Sequence, residues 1–223
     1  MLVAIDGPAG SGKSTIARET ARSLGFVYVN SGALYRAITY RALSTLPDPG
    51  DLHAVEELAE STSLRIEEAG IRVDGELRSA ELHTPDVDRW VSQHSGVPRV
   101  RDIVNAELRR AVGERDLIVE GRDIATVVFP DAEVKIYLDA DVETRAQRRY
   151  SQQDGSVDID ELRSSIAERD ERDRRKRQGA LRLAEDAVYL DTSGLTIPQV
   201  CAKVMDTIQR QNQIQESQKH HGR

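Results

Sequence analysis

The 223-residue chain contains one cysteine, Cys201, so no disulfide can form within it, and a reducing compartment, the cytoplasm, is expected. It has no apolar run of about eighteen residues, the length a membrane-spanning helix needs. The opening "MLVAIDGPAG" lacks the charged start and long apolar stretch of a signal peptide and reads as a first strand. Basic residues are not in excess: 31 Lys and Arg stand against 38 Asp and Glu, a net charge of −7. That argues against coating a nucleic-acid polymer, which needs a surplus of cations. The five histidines, at 53, 83, 94, 220 and 221, show no metal-ligand spacing with Cys or carboxylates. The N-K-x-D or T-K-x-D pattern of a guanine-binding switch protein is missing too, and no internal repeat occurs.

What is there begins at residue 7. Gly7-Pro8-Ala9-Gly10-Ser11-Gly12-Lys13-Ser14 fits G-x-x-x-x-G-K-[ST]. An apolar run, "LVAI" (2–5), precedes it. Ile16, Ala17, Thr20, Ala21 and Leu24 follow at helical spacing up to a terminating Gly25. A loop of this kind between a strand and a helix wraps phosphates in backbone N–H groups, aided by the helix dipole. Residues 7–13, with Ser14 and Thr15, are therefore expected to bind the phosphates of a nucleotide, ATP if the chain is a kinase. Lys13 would reach the β- and γ-phosphates, and the Ser14 hydroxyl would hold Mg²⁺.

Further strands are expected at 26–30, 116–121, 134–139 and 187–191, and helices at 32–46, 51–61, 98–114, 141–152, 158–176 and 197–211. This alternation predicts a five-stranded parallel sheet flanked by helices, with ligands at the carboxyl ends of the strands. One segment departs from the rhythm. "TSLRIEEAGIRVDGELRS" (62–79) alternates and carries two turn signals, Ala69-Gly70 and Asp74-Gly75, so it reads as an inserted antiparallel meander. The Gln-rich end of the chain reads as a frayed polar tail.

A kinase that moves phosphate between small anions needs cations at the transfer point and a lid against water. "EGRD" (120–123) places Arg122 and Asp123 at the end of an apolar strand. "ERDERDRRKR" (168–177) is rich in arginine, and Arg169, Asp173 and Lys176 share one face if the helix runs unbroken. By itself the run also fits an exposed helix with pairs such as Glu168–Arg172 and Asp170–Arg174. Asp123 could equally be a strand-end carboxylate pairing Arg122.

In order, "GPAGSGKST", "NSGALYRA" (30–37), "VPRVR" (97–101), "EGRDIATVVFPDAEVKIYLDA" (120–140) and "ERDERD" (168–173) resemble the bacterial cytidylate kinases, over roughly residues 2–208. The resemblance implies a P-loop kinase acting on CMP and dCMP, with Mg²⁺ and ATP and without a general base. It implies a core of 1–36, 98–150 and 178–212, a monophosphate-binding subdomain at 37–97, a helical lid at 151–177 and a tail at 213–223. It implies that Ser31, Arg36 and Arg122 hold the acceptor phosphate, that Ser92, Arg101 and Asp123 read cytosine, and that Arg169 and Asp173 meet the sugar. A cytoplasmic monomer with small-molecule partners is expected, with no membrane or nucleic-acid polymer. The lid departs from the family's E-R-D-x-x-D-S-x-R-x-x-A-P-L: Arg174 replaces Ser, Lys176 replaces the final Arg and Ala180 replaces Pro. Lys176 is the expected catalytic cation beside Lys13 and Arg122, with Arg175 or Arg177 the alternatives. The rival readings are a kinase for another acceptor, such as UMP or a cofactor precursor, and a regulatory module that hydrolyses ATP slowly.

Overall fold

The apolar runs pair as the alternation predicts. In the computed structural model, which describes residues 1–67, 70–113, 115–152 and 158–221, β1 (Leu2–Asp6) lies between β6 (Leu117–Gly121) and β7 (Val134–Asp139). The five-stranded sheet has the order β2-β6-β1-β7-β8, with β2 at Val27–Asn30 and β8 at Val188–Asp191. The register Ile5↔Glu120, Asp6↔Gly121 and Asp6↔Tyr137 brings the carboxyl ends of β1, β6 and β7 level. The order reverses direction at β1, the place where parallel sheets open a ligand crevice. α1 (Lys13–Leu24) and α8 (Ile197–His221) cover one sheet face. Ile16, Ala21, Val204 and Ile208 pack there with Val3, Ile5, Ile118 and Ile136, and lone Cys201 is buried in the same cluster. Gly25 closes α1 in the left-handed conformation, its N–H on Ala21 O. Asp141 caps α6 (Val142–Gln152), its Oδ1 accepting Thr144 N–H at 2.6 Å.

The chain forms two compact units: Met1–Tyr28, Arg115–Arg174 and Leu181–Arg223 in the first, Val29–Glu114 and Arg175–Ala180 in the second. The second holds α2 (Ser31–Thr45), α3 (Leu52–Ser61), α4 (Pro85–His94) and α5 (Pro98–Ala111). Its antiparallel sheet β3-β4-β5 (Leu64–Glu67, Gly70–Val73, Glu76–Arg78) is the meander that the alternation predicts. Asp74-Gly75 makes its second turn, both residues at positive φ; Ala69 of the first lies outside the described residues.

Several features differ from the sequence reading. Residues 80–94 hold a 3₁₀ turn (Ala80–His83) and α4 where no helix is expected. Thr84 accepts Val87 N–H and Pro85 takes the first helical position, where its missing donor costs nothing. α8 continues to His221 instead of stopping at 211, because Gln, Glu and Lys favour helix and no glycine intervenes before Gly222. α7 (Ile159–Arg175) stops one residue short of Lys176, so the helical face expected to carry Arg169, Asp173 and Lys176 does not reach the lysine.

His94 is fully buried in the second unit. It stacks on Trp90, with Nδ1 3.1 Å from Thr39 Oγ1 and Nε2 2.8 Å from Pro49 O. Burial pushes its pKa below the ordinary value. The unfolded chain therefore takes up the proton first, and folding stability from this group falls as pH drops through about 6.5. Chemical denaturation at several pH values should show the wild type losing stability relative to His94→Gln in that window. Parallel curves would contradict it.

Candidate active site

Nothing but glycine fits the start of the loop after β1. A Cβ on Gly7 would collide with the carbonyl of Leu138 in β7, and Gly12 opens α1 at φ 93°. Two of the loop carbonyls are held by arginines of α6. Arg145 of α6, only 3% exposed, donates from Nη1 to Ala9 O at 3.1 Å and from Nε to Ala140 O at 2.9 Å. Arg148 donates to Ser11 O at 3.2 Å. With its carbonyls engaged this way, the loop can turn N–H groups inward, as anion binding requires. Neither arginine is among the expected site residues. Their signal is a pair at i and i+3 on the helix after a sheet strand, on the face toward the loop.

Lys13 is 5% exposed, with Nζ on Pro8 O at 2.6 Å. Burial and the neighbouring Arg122 pull its pKa down to about 7, with Arg169 acting in the same direction and Glu120 and Asp6 opposing. Three cations thus converge within the first unit. Each makes the others costlier, and a polyphosphate would relieve all three. Arg122 extends from the end of β6, with Nη1 on Gly7 O at 3.0 Å and Nε 3.2 Å from Asp173 Oδ2. Asp173 and Asp170 are buried on α7. Asp170 pairs with Arg145 at 2.6 Å, where the exposed-helix alternative would pair it with Arg174. Asp123 follows Arg122 and is 4% exposed. Ser14 and Thr15 stand exposed at the first turn of α1.

The structure thus brings Gly7–Thr15, Arg122, Asp123, Arg169 and Asp173 into one unit. Ser31, Arg36, Ser92, Arg101 and Lys176 belong to the other. Ser31 is buried at the start of α2. Arg36 donates to Leu82 O at 3.0 Å and pairs with Asp88 at 2.6 Å. The carbonyl of Ser92 accepts Ser95 Oγ at 3.0 Å. Arg101, 4% exposed, lies over the Tyr35 ring at 5.5 Å and donates to Ser95 O at 3.3 Å. Lys176 donates to Ser95 Oγ at 3.0 Å and is half-buried, whereas Arg174, Arg175 and Arg177 are exposed.

Among the described residues no helix is long and apolar enough to cross a membrane, and no group of His, Cys, Asp or Glu has the form of a metal cage. Magnesium in phosphate sites needs no such cage. It keeps several waters, takes oxygens from the nucleotide, and asks the protein for one or two ligands. An exposed hydroxyl at Ser14, next to Lys13, fits that need.

The family described as Cytidylate kinase matches residues 3–210. A cytidylate kinase of Solibacter usitatus is 42% identical over 206 residues, covering 90% of this chain and 88% of that protein. One from Alkaliphilus oremlandii is 39% identical over 210 residues, covering 92% and 96%. Among solved structures, an uncharacterized protein from Eubacterium ventriosum aligns with a TM-score of 0.55 at 11% identity, over 94% of this chain and 98% of that one; this likeness concerns the fold alone.

Proposed function

The chain belongs to the cytidylate kinase family, and from that premise we propose that it transfers the γ-phosphoryl group of ATP to CMP and dCMP, releasing ADP with CDP or dCDP. The observation that carries this reading is the buried Lys13, seated on the phosphate-loop carbonyl of Pro8 and held at a lowered pKa beside Arg122 and Arg169. The nucleophile is a phosphate oxygen of the acceptor, already ionised at neutral pH. Catalysis is therefore alignment and charge neutralisation, with no general base.

Residues 7–15 bind ATP, and the Ser14 hydroxyl would hold Mg²⁺, whose charge would offset that of the nucleotide's phosphates. Lys13 follows the charge of the moving phosphoryl group, and Arg122 bridges it to the acceptor. Ser31 and Arg36 hold the CMP phosphate, which has to win Arg36 from Asp88. Ser92, Arg101 and Asp123 read the base, and Arg169 and Asp173 take the sugar. The protein is a cytoplasmic monomer in this reading. Phosphorus NMR of the protein with ATP, Mg²⁺ and CMP should show ADP and CDP forming in equal amounts. ADP forming at the same rate without CMP would favour the slow ATPase.

Lys176 is the proposed lid cation. Its support is its half-burial among exposed arginines and its anchor on Ser95, the residue that also receives Arg101. Lys176→Ala should lower kcat about a hundredfold, the scale for removing one cation from a transfer site. Arg175→Ala and Arg177→Ala should each cost only a few-fold. Lys176→Arg should keep or raise kcat, since a guanidinium grips phosphate at two points. A larger loss at Arg175 or Arg177 would move the role to that residue.

A further inference from the structure

The carbonyl of Ala9 and the N–H of Gly10 belong to one trans peptide and point in opposite directions. Whatever holds the first therefore aims the second. The holder is Arg145 of α6, with Nη1 donating to Ala9 O at 3.1 Å. Its stem is close as well: a Cβ on Gly10 would sit 3.2 Å from Arg145 Cβ. The aim of one phosphate-loop N–H thus depends on how this guanidinium is oriented.

A guanidinium is a rigid plane, so a few contacts fix its direction. Nε donates to Ala140 O at 2.9 Å and anchors one edge. The other edge is set by Asp170 of α7, with Oδ2 2.6 Å from Nη1, the nitrogen that also serves Ala9. Nη1 carries two hydrogens, one for the carboxylate and one for the carbonyl. Both side chains are 3% exposed. Desolvating such a pair is costly, and apolar residues of similar volume are often at least as stable. Asp170 is moreover only half satisfied, because Oδ1 is buried with no hydrogen-bond partner among the described residues. Stability is therefore a weak reason for a carboxylate here, and the direction it gives to Arg145 is a stronger one. A similar link runs from Asp173 through Arg122 to Gly7 O, but both of its side chains have ligand roles in the reading above. Asp170 and Arg145 have none.

We propose that Asp170 is a positioning residue for ATP: from α7 it orients Arg145, and through the Ala9 carbonyl it aims the Gly10 N–H of the phosphate loop at the nucleotide. This rests on the reading of residues 7–15 as the ATP site. Asparagine at position 170 keeps the shape but removes the charge that holds Nη1. The guanidinium is then free to turn, and the Ala9–Gly10 peptide turns with it.

The test is a cycle of Asp170→Asn, Arg145→Met and the double variant, with KM for ATP and KM for CMP measured separately and folding checked by thermal unfolding. Asp170→Asn is expected to raise KM for ATP about tenfold, the scale of one hydrogen bond to a charged group, and to leave KM for CMP within about twofold. The double variant is expected to be no worse than Arg145→Met alone, because Asp170 acts through Arg145. An unchanged KM for ATP in Asp170→Asn, or effects that multiply across the cycle, overturn the proposal. So does a rise in both KM values together, the mark of a general loosening, or in KM for CMP alone, which would make Asp170 a support of α7 and not of the loop. If Asp170→Asn does not fold, Asp170→Glu decides. It keeps the charge and moves the carboxylate by one methylene, so KM for ATP should still rise several-fold, and an unchanged value overturns the proposal. NMR separates this failure from that of the ATP site. Adding ATP to the wild type should shift the amide signals of Gly10 and Gly12, and their indifference would overturn the ATP reading itself and the proposal with it. Without ATP, the Gly10 amide signal should differ between the wild type and Asp170→Asn, and identical signals would overturn the proposal alone.

Discussion

Replacing Lys13 with alanine should lower kcat by about three orders of magnitude, and the fold should survive. Lys13 is the side-chain cation of the phosphate loop, and its Nζ lies against Pro8 O in that loop. Its burial among Arg122 and Arg169, which holds the pKa down to about 7, means that the fold gains little from the charge. The sign follows from linkage. The unfolded chain keeps this proton to about pH 10.4, whereas the folded protein releases it at about 7, so folding stability from this group rises with pH across that interval. An uncharged isostere escapes this penalty. Lys13→Met should therefore unfold at the same or a higher temperature at neutral pH while remaining inactive. Steady-state kinetics and thermal unfolding on the same samples check both halves. Near-normal turnover in a folded variant would remove the phosphate-loop lysine from the mechanism.

Asp123→Asn should change the choice of base. Cytosine offers a donor at N4 and acceptors at N3 and O2, so a carboxylate suits N4 and an arginine suits the other two. Uracil reverses the first two polarities. Asn can turn its NH₂ toward uracil O4, yet loses the charged acceptor for cytosine N4. We expect kcat/KM to fall about tenfold for CMP and to rise about tenfold for UMP, each step on the scale of one buried hydrogen bond. In the proposed reading CMP should remain usable, because Arg101 would still donate to N3 and O2. The comparison needs both substrates under one ATP concentration, and an unchanged ratio would exclude Asp123 from base reading.

The elements that proved legible are those whose cause is local. The phosphate loop declares itself by glycine spacing between a strand and a helix, and the structure places α1 directly after it. The meander declares itself by alternation and by Asp74-Gly75. α4 was hidden because Pro85 reads as a breaker until Thr84 is recognised as its cap. The end of α7 was hidden because Arg174, Arg175, Lys176 and Arg177 are all good helix formers, so propensity gives no stop before Gly179. The supports of the site were least legible. Arg145 reaches Ala9 across 136 positions and Asp6 reaches Ile124 across 118. Such partners are set by sheet register, Asp6 opposite Gly121, and no short motif encodes them.

The central claim is phosphoryl transfer selective for the cytosine monophosphates. Coupled ADP release, measured with the wild-type protein, ATP and Mg²⁺ across CMP, dCMP, UMP, dTMP and AMP, tests it most directly. CMP and dCMP should give the highest kcat/KM, with UMP well below them and little ADP formed when no acceptor is supplied. Equal rates for UMP or AMP, or ADP release indifferent to the acceptor, would contradict the account.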